Sequence, residues 1–226
     1  MRAAELLAPF MAPGRMERLE AALERRTSWI TVVLDDLYHP HNMSAVVRSC
    51  EAMGIQDLHA VELSNPFDPS HGVALGAEQW VTIHRHRSIA ECFQSLEEGG
   101  YRCLCADPPR RLEGQGGGRP AYAVEEIPLD RPVALIFGRE RDGLHQETRE
   151  RSHATFYIPM WGLTESLNVS VTAAVALYTL RKRLEREVDP ALWRLPPQRR
   201  RDLLDQWAMT SVRHSREILR RLQGGE

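Results

Sequence analysis

Short continuous apolar runs alternate along this chain with segments in which apolar residues recur every three or four positions. The runs WITVVLDDL, DLHAVEL, YRCLCAD, RPVALIFG and TFYIPM have the length and the β-branched or aromatic content of buried strands, and WVTIHRH adds a shorter one. Before and between them the helical period appears, first in MERLEAALERR, where Met16, Leu19, Ala22 and Leu23 recur at helical spacing. It appears again from Ser44 to Met53, closed by Gly54, in SIAECFQSLEEGG, in the short GLHQETRERS and in the long SLNVSVTAAVALYTLRKRLERE. The segment HPHN reads as a turn into the second of these helices, with Asn42 suited to cap it. Apolar strands alternating with helices predict an α/β fold, a mainly parallel sheet flanked by helices.

Two stretches stand outside the alternation. DPPRRLEGQGGGRPA is rich in glycine and proline and almost free of apolar residues, which predicts a mobile surface loop. DPALWRLPPQRRRDLLDQWAMTSVRHSREILRRL carries Leu203, Leu204 and Trp207 at helical spacing, with arginines on the faces between, and reads as an appendage. The expected organisation is an N-terminal basic helical extension over 1–26, a central domain over 27–187 and a C-terminal basic helical extension over 188–226.

Composition and charge add to this pattern. With 226 residues, 42% of them hydrophobic, the chain can bury a core, which excludes a disordered or collagen-like protein. The net charge of -2 conceals an acidic middle and a basic tail: residues 27 to 180 hold 12 basic and 20 acidic side chains, residues 181 to 226 hold 12 and 7. Only Lys182 is a lysine against 28 arginines, which is consistent either with guanidinium forks for phosphate oxygens or with a codon bias toward arginine. No apolar run approaches the roughly 18 residues of a membrane helix, and Glu5, Pro9 and Pro13 interrupt the N-terminal stretch, so a cytoplasmic protein without a membrane partner is expected. Cys103 and Cys105 would share one strand face, Cys50 and Cys92 sit in helical patterns, and no zinc spacing appears, so buried thiols and no metal are expected.

Three strand ends are dense in polar residues and glycine, where a sheet of this kind binds ligands. The first, HPHNMS, runs into AVVRSCEAMG; Arg48 lies one helical turn beyond Ser44, and the alternatives are a site or a capped helix with a surface arginine. The second is FGRERDGL, where Gly138 allows close backbone approach and Glu140 can accept a hydrogen bond, or where charged residues merely decorate a turn. In the third, IPMWGLTESLNVS, Ser166 and Asn168 can cap the following helix. Capping leaves unexplained the apolar run from Met160 through Trp161 to Leu163, which suits an adenine ring.

Together HNMSAVVRSCEAMG, ALIFGRERDGL and YIPMWGLTESLNVSVTAA resemble, in order and spacing, the three motifs of the SpoU group of SPOUT RNA 2'-O-ribose methyltransferases, over about residues 15 to 186. The terminal segments are similar to those of the members that modify guanosine 18 of tRNA. The resemblance implies a SPOUT fold whose C-terminal third, about Pro132 to Glu187, forms a deep trefoil knot, and a homodimer packed through it. It implies S-adenosylmethionine bound largely by backbone at Ala106, Gly138, Arg139, Ile158 and Leu167. It also implies catalytic roles for Arg48, Asn42, Glu140, Ser166 and Asn168, with Arg48 pairing with an RNA phosphate and stabilising the developing alkoxide.

The implied reaction is 2'-O-methylation of a ribose in RNA, at guanosine 18 in the tRNA D-loop. A ribosomal RNA nucleotide and a non-catalytic RNA-binding protein are the alternatives; DNA is not an expected partner. Three departures bear on the substrate: His39 stands where the tRNA members usually have lysine; Gly162, Leu163, Thr164 and Glu165, a form shared with ribosomal RNA enzymes, stand in place of Gly-Met-Val-Gln; and a glycine-rich insertion lies near Gly116 to Gly118. Arg15, Arg18, Arg26, Arg181, Lys182 and Arg183, with Arg199 to Arg201, are the candidate phosphate contacts, unless they only solvate their helices beside Glu17, Glu20, Glu185 and Glu187.

Overall fold

The computed structural model describes residues 2–69, 74–108 and 119–224. Seven strands, β1 (Ile30–Asp35), β2 (Asp57–Val61), β3 (Thr82–His86), β4 (Arg102–Ala106), β5 (Ala121–Ala123), β6 (Val133–Phe137) and β7 (Ala154–Tyr157), form one sheet. Its order is β3-β2-β1-β6-β4-β7-β5, and every neighbouring pair is parallel. β1 and β6 lie side by side near the middle and are buried along their whole length, which is why both read as unbroken apolar runs.

Alternate residues of the same strands feed two cores. Ile30, Val32 and Leu34 of β1 and Val133, Leu135 and Phe137 of β6 join a cluster with the helices α3 (Pro40–Ala52) and α6 (Val169–Glu187). Val33, Ala134 and Ile136 turn the other way, with Cys103 and Cys105, toward α4 (Ile89–Glu98). All four cysteines are free and buried, and Cys103 and Cys105 do share a face. A short helix, α5 (Gln146–Arg151), joins β6 to β7.

The expected strands and helices of the alternation are present, with three differences. α3 begins at Pro40 and not near Ser44, because proline at the first helical position has its φ already set and needs no amide donor there. HPHN is thus the entry to the helix, His39 is its N-cap, and Asn42 is left free for other bonds. β5 begins at Ala121, the last residue of the expected loop; it has three residues and pairs with β7, too short a run to register as a strand period. Residues 109–118 of the glycine-rich stretch lie outside the described residues.

Ser28–Trp193 forms one compact unit, and the two terminal segments, up to Thr27 and from Arg194, form a second. In the second, α1 (Ala3–Leu7), a helix the sequence pattern did not announce, and α2 (Arg15–Leu23) pack with α8 (Pro197–Ser211) and α9 (Ser215–Gly224). Ala4, Leu7, Ala208, Val212 and Leu219 make its small core. Arg2 pairs with Asp202 and Asp205, the Ala4 amide donates to Asp205, and the Arg26 guanidinium stacks on the Trp207 ring 5.1 Å away. A short helix, α7 (Pro190–Trp193), ends the larger unit. Among the described residues no helix is long and apolar enough to cross a membrane.

Candidate active site

The C-terminal ends of β4, β6 and β7 and the start of α6 enclose a cavity of about 360 Å³. All five residues expected to hold a cofactor line it: Ala106 at the end of β4, Gly138 and Arg139 after β6, Ile158 after β7 and Leu167 before α6. Glu140, Ser166 and Asn168 line it as well. The turn after β6 closes tightly, with Arg139 and Gly143 exchanging backbone hydrogen bonds of 3.1 and 3.0 Å. A Cβ on Gly138 would stand 2.4 Å from the Leu144 nitrogen and 2.5 Å from the Gly143 carbonyl carbon, so only glycine fits this turn. Asp107, Glu140 and Glu165 put carboxylates on the lining, while Leu144, Ile158, Met160 and Leu167 supply apolar faces. Arg139 has its Nε buried without a protein partner among the described residues.

The three polar segments meet through one hydrogen-bonded chain. Asn168 Nδ2 donates to Asn42 Oδ1 at 3.2 Å, and Asn42 Nδ2 donates to Glu140 Oε1 at 2.7 Å. Asn168 is also the N-cap of α6, its Oδ1 accepting from the Ser170 amide at 2.8 Å and from the Ser170 hydroxyl at 2.7 Å. The amides of Tyr38 and His39, at the N-terminal end of α3, donate to Glu140 at 3.4 and 3.3 Å. Burial raises the Glu140 pKa, and the bonds from Asn42 and from backbone amides outweigh it, so the group lies below its ordinary value. An ionised carboxylate at a helix N-terminus is also favoured by the helix dipole. Glu140 therefore ties the second loop to α3 and holds no proton at neutral pH.

Arg48 does not reach the cavity. It is exposed on α3 and makes no hydrogen bond or ion pair among the described residues. Ser44 is fully buried and donates back to the Pro40 carbonyl at 2.8 Å, so it supports the helix and offers nothing to a substrate. Ser166 is exposed on the rim.

The sequence reading missed the carboxylates that fasten the loops at the ends of β1, β2 and β4. Asp35, fully buried at the end of β1, accepts from the His145 amide and from His145 Nδ1, both at 2.9 Å, and so pins the far end of the second loop. Asp36 adopts a left-handed conformation, φ 56°, and its Oδ1 takes the amides of Leu63, Ser64 and Asn65 at 2.9 to 3.0 Å. Asp107 pairs with both terminal nitrogens of Arg149 at the edge of the cavity. The available signal was a pair of carboxylates ending an apolar strand.

The candidate phosphate contacts divide. Arg18 and Lys182 are exposed and Arg15 is half-buried, its Nε 3.4 Å from the Ser211 hydroxyl. Arg26, 2% exposed under Trp207, and Arg181, 8% exposed, are packing residues and cannot meet a phosphate in this conformation. Arg181 stacks 4.4 Å from the Trp193 ring and pairs with Glu185 at 3.1 Å. Arg183 is held by Glu187 and by the Ile127 carbonyl, and with Arg186 it holds the Glu187 carboxyl down at about 2. Arg213, Arg216 and Arg220, beyond the cluster singled out from sequence, are exposed, with no ion pair or hydrogen bond among the described residues.

The model of the SpoU rRNA Methylase family matches residues 29–178. The chain is 33% identical over 165 residues to the tRNA (guanosine(18)-2'-O)-methyltransferase of Thermus thermophilus, covering 73% of this chain and 80% of that enzyme. To the enzyme of the same name from Escherichia coli it is 32% identical over 168 residues, 74% of this chain and 69% of that one. The crystal structure of the A. aeolicus TrmH/SpoU tRNA modifying enzyme superposes with a TM-score of 0.75 at 26% identity, over 88% of this chain and 97% of that one. The matched residues span the whole sheet and all three joined polar segments, and on that ground the chain belongs to the SpoU methylase family.

Proposed function

We propose that this protein transfers a methyl group from S-adenosylmethionine to the 2'-hydroxyl of a ribose in RNA, with guanosine 18 of tRNA as the substrate. The observation that carries the reading is the chain Asn168 to Asn42 to Glu140, which ties together the three segments around one cavity. The cavity fits the cofactor: its volume is that of a small-molecule pocket, its carboxylates suit a sulfonium, an ammonium and ribose hydroxyls, and its apolar faces suit an adenine. When bound, the cofactor supplies an already electrophilic methyl group.

Ala106, Gly138, Arg139, Ile158 and Leu167 hold it on this reading, mainly through backbone. The protein's own part is then to orient the 2'-hydroxyl and to ease loss of its proton. Glu140, deprotonated and already accepting three bonds, serves as the clamp for the second loop and not as the base. Asn42 and Asn168 fix the mutual position of α3 and α6, and Ser166 faces the ribose from the rim. Arg48, always protonated, meets the adjoining phosphate and stabilises the developing alkoxide.

Because Arg48 stands off the cavity of its own chain, the active unit we propose is a homodimer built on α6. That helix is apolar on two sides: Ala173, Ala176, Leu177 and Leu180 face the core, while Val171, Val175 and Tyr178 are exposed at helical spacing. Leu167, Trp161 and Leu163 extend the exposed stripe along the preceding loop. We also propose that Pro132 to Glu187 is threaded as a trefoil knot, a reading supported by the late strands β6 and β7 lying between earlier ones. The organisation we propose is a central methyltransferase domain over 27–187 with basic extensions over 1–26 and 188–226, acting in the cytoplasm.

A ribosomal RNA substrate is the second reading, favoured by Gly162 to Glu165. Incubation with radiolabelled S-adenosylmethionine and total RNA, sized on a gel, separates the two: label in tRNA supports the first, label in large RNA the second. Intact cofactor binding with no label contradicts both.

A further inference from the structure

Away from the cavity, on the sheet face covered by α4, three imidazoles gather on two neighbouring strands. His59 of β2 is in register with His84 of β3, and His86 lies two residues further on, so the pleat aims all three to one side. His59 Nδ1 and His86 Nε2 share a hydrogen bond of 2.9 Å, their rings nearly coplanar and end to end, and Cys92 of α4 brings its sulfur to them, the three donor atoms lying within 4.8 Å of one another. All three side chains are buried. The other ring nitrogen of His86 is buried too and has no hydrogen-bond partner among the described residues, so hydrogen bonding within the protein does not satisfy the cluster.

Both imidazoles are buried, which favours their neutral, ligating form. His84 stacks on His59 and is held by Asp57 at 2.9 Å, and Asp57 in turn accepts from the Ser28 hydroxyl at 2.7 Å. Zinc bound tetrahedrally at about 2.0–2.1 Å separates two nitrogen ligands by about 3.3 Å, so binding breaks the His59–His86 hydrogen bond, parts the two nitrogens by a few tenths of an ångström and turns both rings toward the ion.

We propose that His59, His86 and Cys92 bind one thiophilic d10 cation, Zn²⁺ or Cu⁺, as a staple between the edge strand β3, β2 and α4. On binding, the Cys92 thiol gives its proton to solvent and a sulfur–metal bond replaces it, while the proton shared between His59 and His86 moves to the outer nitrogen of the ring that carried it. One thiolate and two neutral imidazoles cancel the charge of Cu⁺; Zn²⁺ retains one positive charge and an open fourth position. No spacing in the sequence announces the site, because its ligands come from three separate elements.

Titration of the chelator-treated full chain with Co²⁺ tests this, since a cobalt–thiolate bond gives a near-ultraviolet charge-transfer band. The expected result is a band that saturates at one ion per chain and is bleached by Zn²⁺, with Cu⁺ binding followed separately by competition against a Cu⁺-chelating dye. Zn²⁺ or Cu⁺ at a hundredfold excess over its Kd should raise Tm by roughly 5–10 °C. Cys92→Ala should lose the band, and His86→Gln, at the less buried margin of the cluster, carries the same readout if Cys92→Ala does not fold. No band in the full chain, or a band unchanged in either variant, overturns the proposal.

Discussion

Asn42 uses both ends of its side-chain amide, giving a proton to Glu140 and taking one from Asn168, and in doing so it ties three parts of the chain together. Roles that look alike in sequence separate at this scale. Asn168 both caps α6 and joins the chain, so Asn168→Ala should cost about 1 kcal/mol of stability as a lost cap and should lower turnover by more than that loss explains. Comparing Tm with kcat separates the two effects, and a fall in Tm with unchanged kcat would leave Asn168 a cap alone. Gly138→Ala drives a Cβ into the backbone of Gly143 and Leu144, and calorimetry should find cofactor binding lost. The pH dependence of Glu140 follows from its lowered pKa: the stabilisation it gives is present above the ordinary carboxylate range and is lost as pH falls through its folded value. Cofactor affinity at pH 6 should therefore equal that at pH 8 as far as this group is concerned. A fall in affinity between those values that Glu140→Gln abolishes would contradict the clamp.

At the scale of elements, the strand and helix alternation was legible because burial on both sheet faces leaves continuous apolar runs, as in β1 and β6. The site was legible in part, since Gly138, Glu140 and Asn168 stand at strand or helix ends dense in polar groups. What could not be read were contacts across the sheet: the start of α3 at Pro40, the pairing of the three-residue β5, and the Asp35–His145 anchor joining residues 110 positions apart. That anchor makes a specific demand. Asp35→Asn keeps one acceptor for two His145 donors, so the loop from Gly138 to Leu144 should loosen, with weaker cofactor binding and faster amide exchange in that loop while β1 stays protected. Exchange rising equally in β1 and the loop would make Asp35 a general stability residue.

For the whole molecule, the question is how a chain of net charge -2 holds RNA. Arg26 and Arg181 are occupied with aromatic rings, and we propose the exposed Arg18, Lys182, Arg201, Arg213, Arg216 and Arg220 as candidates to meet phosphates. Arg213→Glu with Arg216→Glu should weaken tRNA binding and flatten its salt dependence by about one unit per lost contact, without changing cofactor affinity. Shortening the chain after Glu187 is a poorer test, because α1 and α2 would lose α8, their packing partner.

The central claim, ribose methylation in RNA by this family member, is tested most directly by nucleoside analysis of tRNA after incubation with S-adenosylmethionine, comparing the wild-type protein with Arg48→Ala. The account predicts 2'-O-methylguanosine at position 18 with wild type, and a rate lower by about 10²–10³ in the variant, whose cofactor affinity is unchanged. Methyl label on a base in place of the ribose, or an Arg48→Ala enzyme that methylates at the wild-type rate, would contradict it.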